Sequence, residues 1–298
     1  MAIILTPSAA AIPPLTSRWG QNRRLEFIDF RLQWDGRINR RDLTGFFGIS
    51  VPQASADIAR YIELAPDNLS YDKSGRVYLA ADSFNPLYPT SGPTQYLNAL
   101  LGTASNALDK DSSFLGWAPP VSAVPLPGRH LEVEVLVALT RAMRDAQGIR
   151  ICYQSLSRPE PFTRTISPHA FGNDGHRWHV RAYCHERRDF RDFVISRILR
   201  VEGGASSMAQ ASDDVAWKTI LTLRLAPHPG LSSAHKRAIE LDFGMEDGSV
   251  GLNCRAALLF YVLRQLRLDG NAEGRPEAQQ IVLVNREEVD AIMASIPD

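Results

Sequence analysis

Cysteine is scarce in this chain of 298 residues: only Cys152, Cys184 and Cys254 occur, far apart and odd in number. That excludes a disulfide framework or a zinc ribbon and makes a reducing cytoplasm the default. Net charge is absent too, at a formal value of zero, so any basic surface has to be local. Lysine is nearly missing, with four against 29 arginines, a bias that fits a GC-rich genome more than a chemical need. No apolar stretch approaches the ~20 residues that span a bilayer, so no membrane role is expected. The opening "MAIILTPSAAAIPPL" lacks the basic n-region of a signal peptide, and residues 1–17 are expected to be a flexible tail. Nor is there a P-loop, a nucleophile elbow or a pair of catalytic carboxylates. These absences point to a non-enzyme, with no cofactor and no metal.

What is there is an ordinary globular composition, 44% apolar and 22% charged, over a length that implies two or three compact units. Charge segregates along the chain. Residues 18–80 carry ten Lys/Arg against eight Asp/Glu, and residues 149–202 ten against six, whereas residues 203–298 carry nine against thirteen. An anionic partner would therefore meet the first and third segments.

The stretch "RDLTGFFGISVPQASADIARYIELAP" carries the clearest local signals. A first helix is predicted from about Arg23 to Trp34, with Leu25, Ile28 and Leu32 on one face and Gly36 ending it. The second starts after Asn39, a good N-cap, has Asp42 in its first turn and stops at Gly48. Ser50 then caps a third helix that tolerates Pro52 in its first turn. Ala54, Ile58, Tyr61, Ile62 and Ala65 recur at helical spacing and should pack inward, which leaves Gln53, Ser55 and Arg60 outward. Two helices joined by a three-residue turn containing glycine form a helix-turn-helix, whose second helix reads the major groove with its N-terminal residues. Those residues are Ser50, Gln53 and Ser55, and a glutamine can bridge the N6 and N7 edge of adenine. Asp57 is a poor neighbour for phosphate and is expected to pair with a nearby arginine. In "LSYDKSGRVYLA" two short strands flank a turn, which makes a wing with Lys73 and Arg76 at its tip. Arg40 and Arg41 could clamp backbone on the other side. The winged domain is expected to span residues 18–82.

Residues 83–148 read as a helical connector, proline-rich around a short helix from Thr94 to Asn106. It ends in a second helix from Leu131 to Ala146 whose inner stripe would be Val133, Leu136, Val137, Thr140 and Met143 or Arg144. The period then changes to two: Ile149, Ile151 and Tyr153 alternate with Arg150, Cys152 and Gln154, and Trp178, Val180 and Ala182 with His179, Arg181 and Tyr183. Short strands in so compact a run point to a small barrel over residues 149–205.

The succession "YQS", "RTISPHAF", "RWHVRAY" and "FRDFVISRI" resembles a WYL domain, a small Sm-like barrel found behind winged helix-turn-helix domains in bacterial regulators. The family's name triplet reads Trp178, His179, Val180 here, a departure that resembles the WYL repressors of anti-phage defence operons such as CBASS and BREX. The resemblance implies a ligand-sensing pocket made by Tyr153, Ser155, Arg164, His169, His179, Arg181, Tyr183, Arg191 and Arg197. Such a set suits an anion bearing bases, a nucleotide or oligonucleotide, because arginines fork onto phosphate while tyrosine and histidine stack or donate.

From Trp217 the chain alternates strands and helices into a C-terminal α+β unit over residues 212–298, which the resemblance makes an extension domain for dimerisation. Ala257, Leu258, Tyr261, Val262 and Leu266 are more apolar than one covered face needs. The fold class expected is α+β and multidomain: winged helix-turn-helix, WYL barrel, C-terminal α+β domain. The function expected is a cytoplasmic, ligand-responsive repressor, a homodimer on palindromic double-stranded operator DNA. Three other readings stay open. One is a WYL activator, and another is a single-strand or RNA-binding module. The third is a metal hydrolase built on His169, His176, His179 and His185 with Asp174; against it, residues three apart on a strand, such as His176 and His179, point to opposite faces.

Overall fold

Asn39 and Asp42 form the reciprocal cap the sequence calls for: the Asn39 side chain accepts from the backbone of Arg41 and Asp42, and the Asp42 carboxylate accepts from Asn39 N. Such local choices set the fold of the computed structural model, which describes residues 19–88, 92–105, 107–109, 113–269 and 275–296. The expected tail at 1–17 lies outside the described residues. Two compact units divide between Pro125 and Leu126, so the stretch 83–148, expected as one connector, is shared between them.

The first unit runs α1 (Trp19–Asp35), β1 (Arg37–Ile38), α2 (Arg40–Phe47), α3 (Val51–Leu64), β2 (Leu69–Asp72), β3 (Val77–Ala80) and α4 (Pro93–Ala104). Gly48 takes a left-handed φ of 64° and stops α2, and Ser50 Oγ caps α3 by accepting from Gln53 N. The predicted inner stripe of α3 is in place: Ala54, Ile58 and Tyr61 join Leu25, Phe27, Ile28, Leu32 and Leu43 in one core. Burial of each large apolar side chain there contributes about 1.5–3 kcal/mol. The wing is a three-stranded sheet in the order β1-β3-β2, so the hairpin has a third strand that the sequence reading did not anticipate. A buried polar knot ties the following segment down. Tyr61 Oη donates to Asp29 Oδ1 at 2.5 Å and accepts from Asn68 Nδ2 at 3.1 Å, while the Asp29 carboxylate also accepts from the backbone N of Leu87 and Tyr88. Tyr96 of α4 stacks on Trp34 at 4.0 Å, and Phe114 closes edge-on against Phe27.

The second unit begins with α5 (Val133–Arg144), which lies on five strands: β4 (Gly148–Tyr153), β5 (Phe162–Asn173), β6 (Trp178–Cys184), β7 (Asp189–Val194) and β8 (Ile198–Ala205). The face of α5 differs from the expected one. Val135, Leu139 and Ala142 are buried while Val133 and Val137 are exposed, because the helix is apolar on more than one side and periodicity alone cannot choose. Leu136 and Met143 pack at its margin. All strand pairs are antiparallel in the order β7-β6-β5-β4-β8. The five strands of the expected small barrel do not close: among the described residues no ladder joins β7 to β8, which are linked by a single 3-10 turn at Ile195–Arg197. Register shifts after Arg150, Cys152 and Pro168 are the bulges that bend it.

The chain continues through α6 (Val215–Lys218), β9 (Ile220–Pro227), α7 (Ser233–Phe243), β10 (Val250–Arg255), α8 (Leu259–Gln265), β11 (Ile281–Leu283) and α9 (Arg286–Ala294). Its sheet order is β10-β9-β11. Trp217 and Lys218, expected to open a strand, lie instead in a helical turn, because the Asp214 carboxylate caps it by accepting from Trp217 N at 3.0 Å. Leu221, Leu223 and Leu225 alternate inward from β9 to meet Ile239, Leu259 and Val289. Among the described residues no helix is long and apolar enough to cross a membrane.

Candidate functional site

The first surface is the outer side of α3 with the wing beside it. Gln53 is exposed one residue past Pro52, and its Nε2 donates to Asp57 Oδ1 at 3.2 Å. Asp57 is fully buried and, as expected, pairs with an arginine: Arg24 of α1 donates through Nε at 2.6 Å and Nη2 at 3.2 Å. Ser50 is occupied as the cap of α3, and Ser55 Oγ donates back to Val51 O within the helix. Both hydroxyls therefore have local partners rather than standing free toward a groove. Arg60 is exposed but bonded to Glu63 at 2.8 Å, which offsets its charge. Between Gln53 and Arg60 the exposed surface includes Ala56 and Ala59. These two methyls, absent from the sequence reading, let a helix approach closely and suit contact with a thymine methyl.

The same unit exposes several cations. Arg40 and Arg41 are exposed at the start of α2, with Arg40 Nη2 reaching Tyr78 Oη of the wing at 3.5 Å. Lys73 and Arg76 are exposed in the tip turn, which Asp72 shapes by accepting from Ser74 N, Ser74 Oγ and Gly75 N. Arg76 holds a left-handed φ of 52°. Arg37 on β1, opposite Leu79 of β3, is a further exposed cation that the sequence reading missed.

The second site is on β6, β7 and the residues that reach them from the C-terminal side. Arg181 is buried and held by two carboxylates: its Nε donates to Asp214 Oδ2 at 2.7 Å, Nη2 to Asp214 Oδ1 at 3.2 Å and Nη1 to Asp192 Oδ1 at 3.4 Å. His169 Nε2 faces the same Asp214 Oδ2 at 2.9 Å. Tyr261 of α8 donates to Asp192 Oδ2 at 3.1 Å and packs its ring on His179, whose Nε2 faces Asp174 Oδ2 at 3.0 Å. A continuous polar chain thus joins the β-sheet to both the lead-in and the body of the C-terminal domain.

The titration directions follow from this wiring. Burial raises Asp214, and the bonds from His169, Arg181 and Trp217 N outweigh it, leaving the carboxyl well below its usual range. Burial likewise opposes the Arg181 charge, and the two carboxylates outweigh it, raising the guanidinium. For Asp192 burial wins and the carboxyl is raised despite Arg181 and Tyr261. Burial and the Asp192 charge push Tyr261 upward. Asp174, raised by burial but bonded by His179 and by the backbone of His176 and Arg177, is lowered to about 2.

Of the nine expected ligand residues, His169, Arg181 and Tyr183 are brought near one another. Arg181 and Tyr183 line a cleft of about 610 Å³ together with Arg188, Phe190, Asp214 and Phe260. His169 lines a second cleft, of about 890 Å³, with Ser167 and the segment from Ser207 to Asp213. His179 is apart, on Asp174. Arg191 is exposed and bonded to Asp189, and Ser155 Oγ bonds Ser157. Arg164 lies over the Phe162 ring, its Nη1 toward Cys184 Sγ at 3.1 Å and its buried Nε without a hydrogen-bond partner among the described residues. Arg197 is half-buried in the turn before β8. Tyr153 is buried in the sheet core against Phe193, the ring that Arg164 also faces, and its hydroxyl accepts from Val194 N. Asp174, Asp192, Asp214 and Tyr261, which do most of the bonding, were outside the expected ligand set.

Three of the four histidines weighed for a metal site have other partners: His169 has Asp214, His179 has Asp174 and His185 has Ser167 Oγ at 2.8 Å. Among the described residues no group of three or more His, Cys, Asp or Glu could hold a metal ion.

Comparison with known proteins matches three family models in succession. Residues 20–102 match the BrxR transcriptional regulator winged helix-turn-helix domain, residues 134–202 the WYL domain, and residues 220–289 the BrxR transcriptional regulator C-terminal dimerization domain. The chain is similar to the DNA-binding transcriptional repressor CapW of Escherichia coli (strain KTE188), 48% identical over 278 residues, 93% of each chain. It is 50% identical over 274 residues to CapW of Pseudomonas aeruginosa, 92% of each chain. CapW of Stenotrophomonas maltophilia is 49% identical over 276 residues, 91% of this chain and 92% of that one.

Proposed function

The chain belongs to the CapW family of DNA-binding transcriptional repressors, built from a BrxR-type winged helix, a WYL domain and a C-terminal dimerization domain, and from that premise we propose a ligand-responsive repressor of an anti-phage defence operon. It acts in the cytoplasm as a homodimer on a palindromic operator, because two-fold symmetry of the protein imposes two-fold symmetry on the half-sites, about 34 Å apart or a multiple. The observation that carries the reading is the outer face of α3, where Gln53, Ala56 and Ala59 are exposed, in a unit that also exposes the cations at the start of α2 and at the wing tip.

Release follows from a nucleotide-like or nucleic-acid ligand in the WYL domain. His169 and Arg181 are the pair best suited to a phosphate, and in the absence of ligand Asp214 holds both by hydrogen bonds. An anion there competes with Asp214, which also caps α6 at the entrance to β9. Ligand binding is in this way coupled to the domain that dimerises, and the repressor is released to the extent that the ligand favours the non-binding arrangement.

Footprinting of the DNA upstream of the gene, with and without nucleotides and oligonucleotides, tests both halves. Expected are two protected half-sites in duplex DNA and loss of protection with one ligand. Absence of protection at low ionic strength overturns the repressor reading, and preference for single strands over the promoter duplex replaces it with a single-strand-binding one.

A further inference from the structure

Asp57 is a charged side chain with no exposure, placed directly behind the helix face proposed to meet DNA. A buried carboxylate needs partners, and this one has three donors: Arg24 Nε and Nη2, from α1, and Gln53 Nε2, one turn earlier on its own helix. A carboxylate is acceptor-only, so the amide of Gln53 has to turn its nitrogen, not its oxygen, toward Asp57. One hydrogen of Nε2 is used in that bond. The other hydrogen and Oε1 remain on the exposed side as a donor and acceptor pair.

We propose that Asp57, anchored by Arg24, is a positioning residue that fixes the Gln53 amide in the orientation required to read adenine. The free hydrogen meets N7 and Oε1 accepts from N6–H, the bidentate pairing for an A·T pair in the major groove. Without the anchor the amide is free to flip, and an exposed glutamine loses rotamer freedom each time it docks. Holding it beforehand reduces that loss and selects against bases offering the opposite pattern. Arg24 has two roles: it neutralises Asp57, which would otherwise repel phosphate, and its fork from a neighbouring helix fixes the carboxylate plane. The inference rests on the reading of α3 as the base-contacting helix.

The test is a panel of duplexes carrying the footprinted operator with each base pair substituted in turn, bound by the full-length protein. Gln53→Ala identifies the position it reads, by loss of about 5- to 150-fold discrimination there. Asp57→Asn offers one acceptor for two partners and is expected to lose discrimination at that same position while keeping affinity for non-specific duplex. Should that variant fold poorly, Arg24→Met with Asp57→Leu removes the anchor without leaving a lone buried charge, an exchange that is often neutral for stability. The expected result is the same single-position loss, with the double variant combined with Gln53→Ala no worse than Gln53→Ala alone. If Gln53→Ala loses an adenine preference that both anchor variants retain, the positioning role is overturned and the base contact stands. If Gln53→Ala alters no position, the base contact itself fails and the positioning role fails with it.

Discussion

Replacing Asp214 by asparagine is expected to destabilise the Leu126–Asp298 unit by about 3 kcal/mol. The carboxylate accepts from His169 Nε2, Arg181 Nε, Arg181 Nη2 and Trp217 N at 2.7 to 3.2 Å, and it is almost completely buried. Asparagine keeps the shape but offers one acceptor oxygen, and its amide nitrogen would face donors. Removing one partner of a buried pair costs about 3–5 kcal/mol because the other charge is left uncompensated. The low end applies here, since Arg181 keeps Asp192 at 3.4 Å. For a unit of this size each kcal/mol lowers the melting temperature by about 2–4 °C, so a drop of about 6–12 °C is expected in calorimetry at neutral pH and fixed dimer concentration. Asp214→Leu with Arg181→Met should recover most of it.

The same variant tests the proposed competition between a ligand anion and Asp214. With Asp214 gone, His169 and Arg181 lose their internal anion, and inorganic phosphate should raise the melting temperature of Asp214→Asn more than that of the wild type. Stabilisation grows as the logarithm of phosphate over its dissociation constant, reaching about 2.7 kcal/mol at a hundredfold excess. A melting loss below about 2 °C would show that the carboxylate contributes far less than a buried partner should. Equal phosphate effects on both proteins would show that Asp214 does not hold the place of an anion.

Three other outcomes are expected. Tyr61→Phe leaves the buried Asp29 carboxylate and Asn68 amide without the hydroxyl between them, and should lower the unfolding free energy by about 1–3 kcal/mol, read as a lower urea midpoint with an unchanged m-value. Lys73→Ala at the wing tip should reduce the slope of log affinity against log salt by about one without changing base preference; an unchanged slope removes Lys73 from the phosphate contacts. Asp174 has a folded pKa of about 2 against an ordinary 3.8, so its contribution is complete above about pH 4 and lost as the pH falls toward 2. That contribution is about 2 kcal/mol, and the stability gap between wild type and Asp174→Asn in urea should be wider at pH 6 than at pH 3.

How far the sequence could be read depended on how far apart the interacting residues lie. The cap of α2, the glycine stop and the cap of α3 are each made by residues no more than four positions apart, so the reading helix and its buried stripe were legible. Strand β1 was not, being two residues whose only reason to extend is pairing with β3, about forty positions later. The face of α5 was undecidable for the opposite reason, since a helix apolar on several sides satisfies more than one register. In the WYL domain, alternation had already put Tyr153 on the side of Ile149 and Ile151, and the structure buries it with them in the sheet core.

Arg181 and His179 were visible as the polar side of β6, but a polar side chain opposite an apolar one is ordinarily solvated. What turns these into a buried network is a carboxylate 33 positions from Arg181 and a tyrosine 69 positions from Asp192, and no local period encodes either. The consequence is chemical as well as structural. Counted in the sequence, β6 and its neighbours look like a surplus of arginine awaiting an anion; with Asp192 and Asp214 in place the arginine at the centre is already neutralised. On the proposed reading a ligand would bind by exchange against these carboxylates and not by filling an empty basic pocket, and its affinity should fall as their hold on Arg181 tightens.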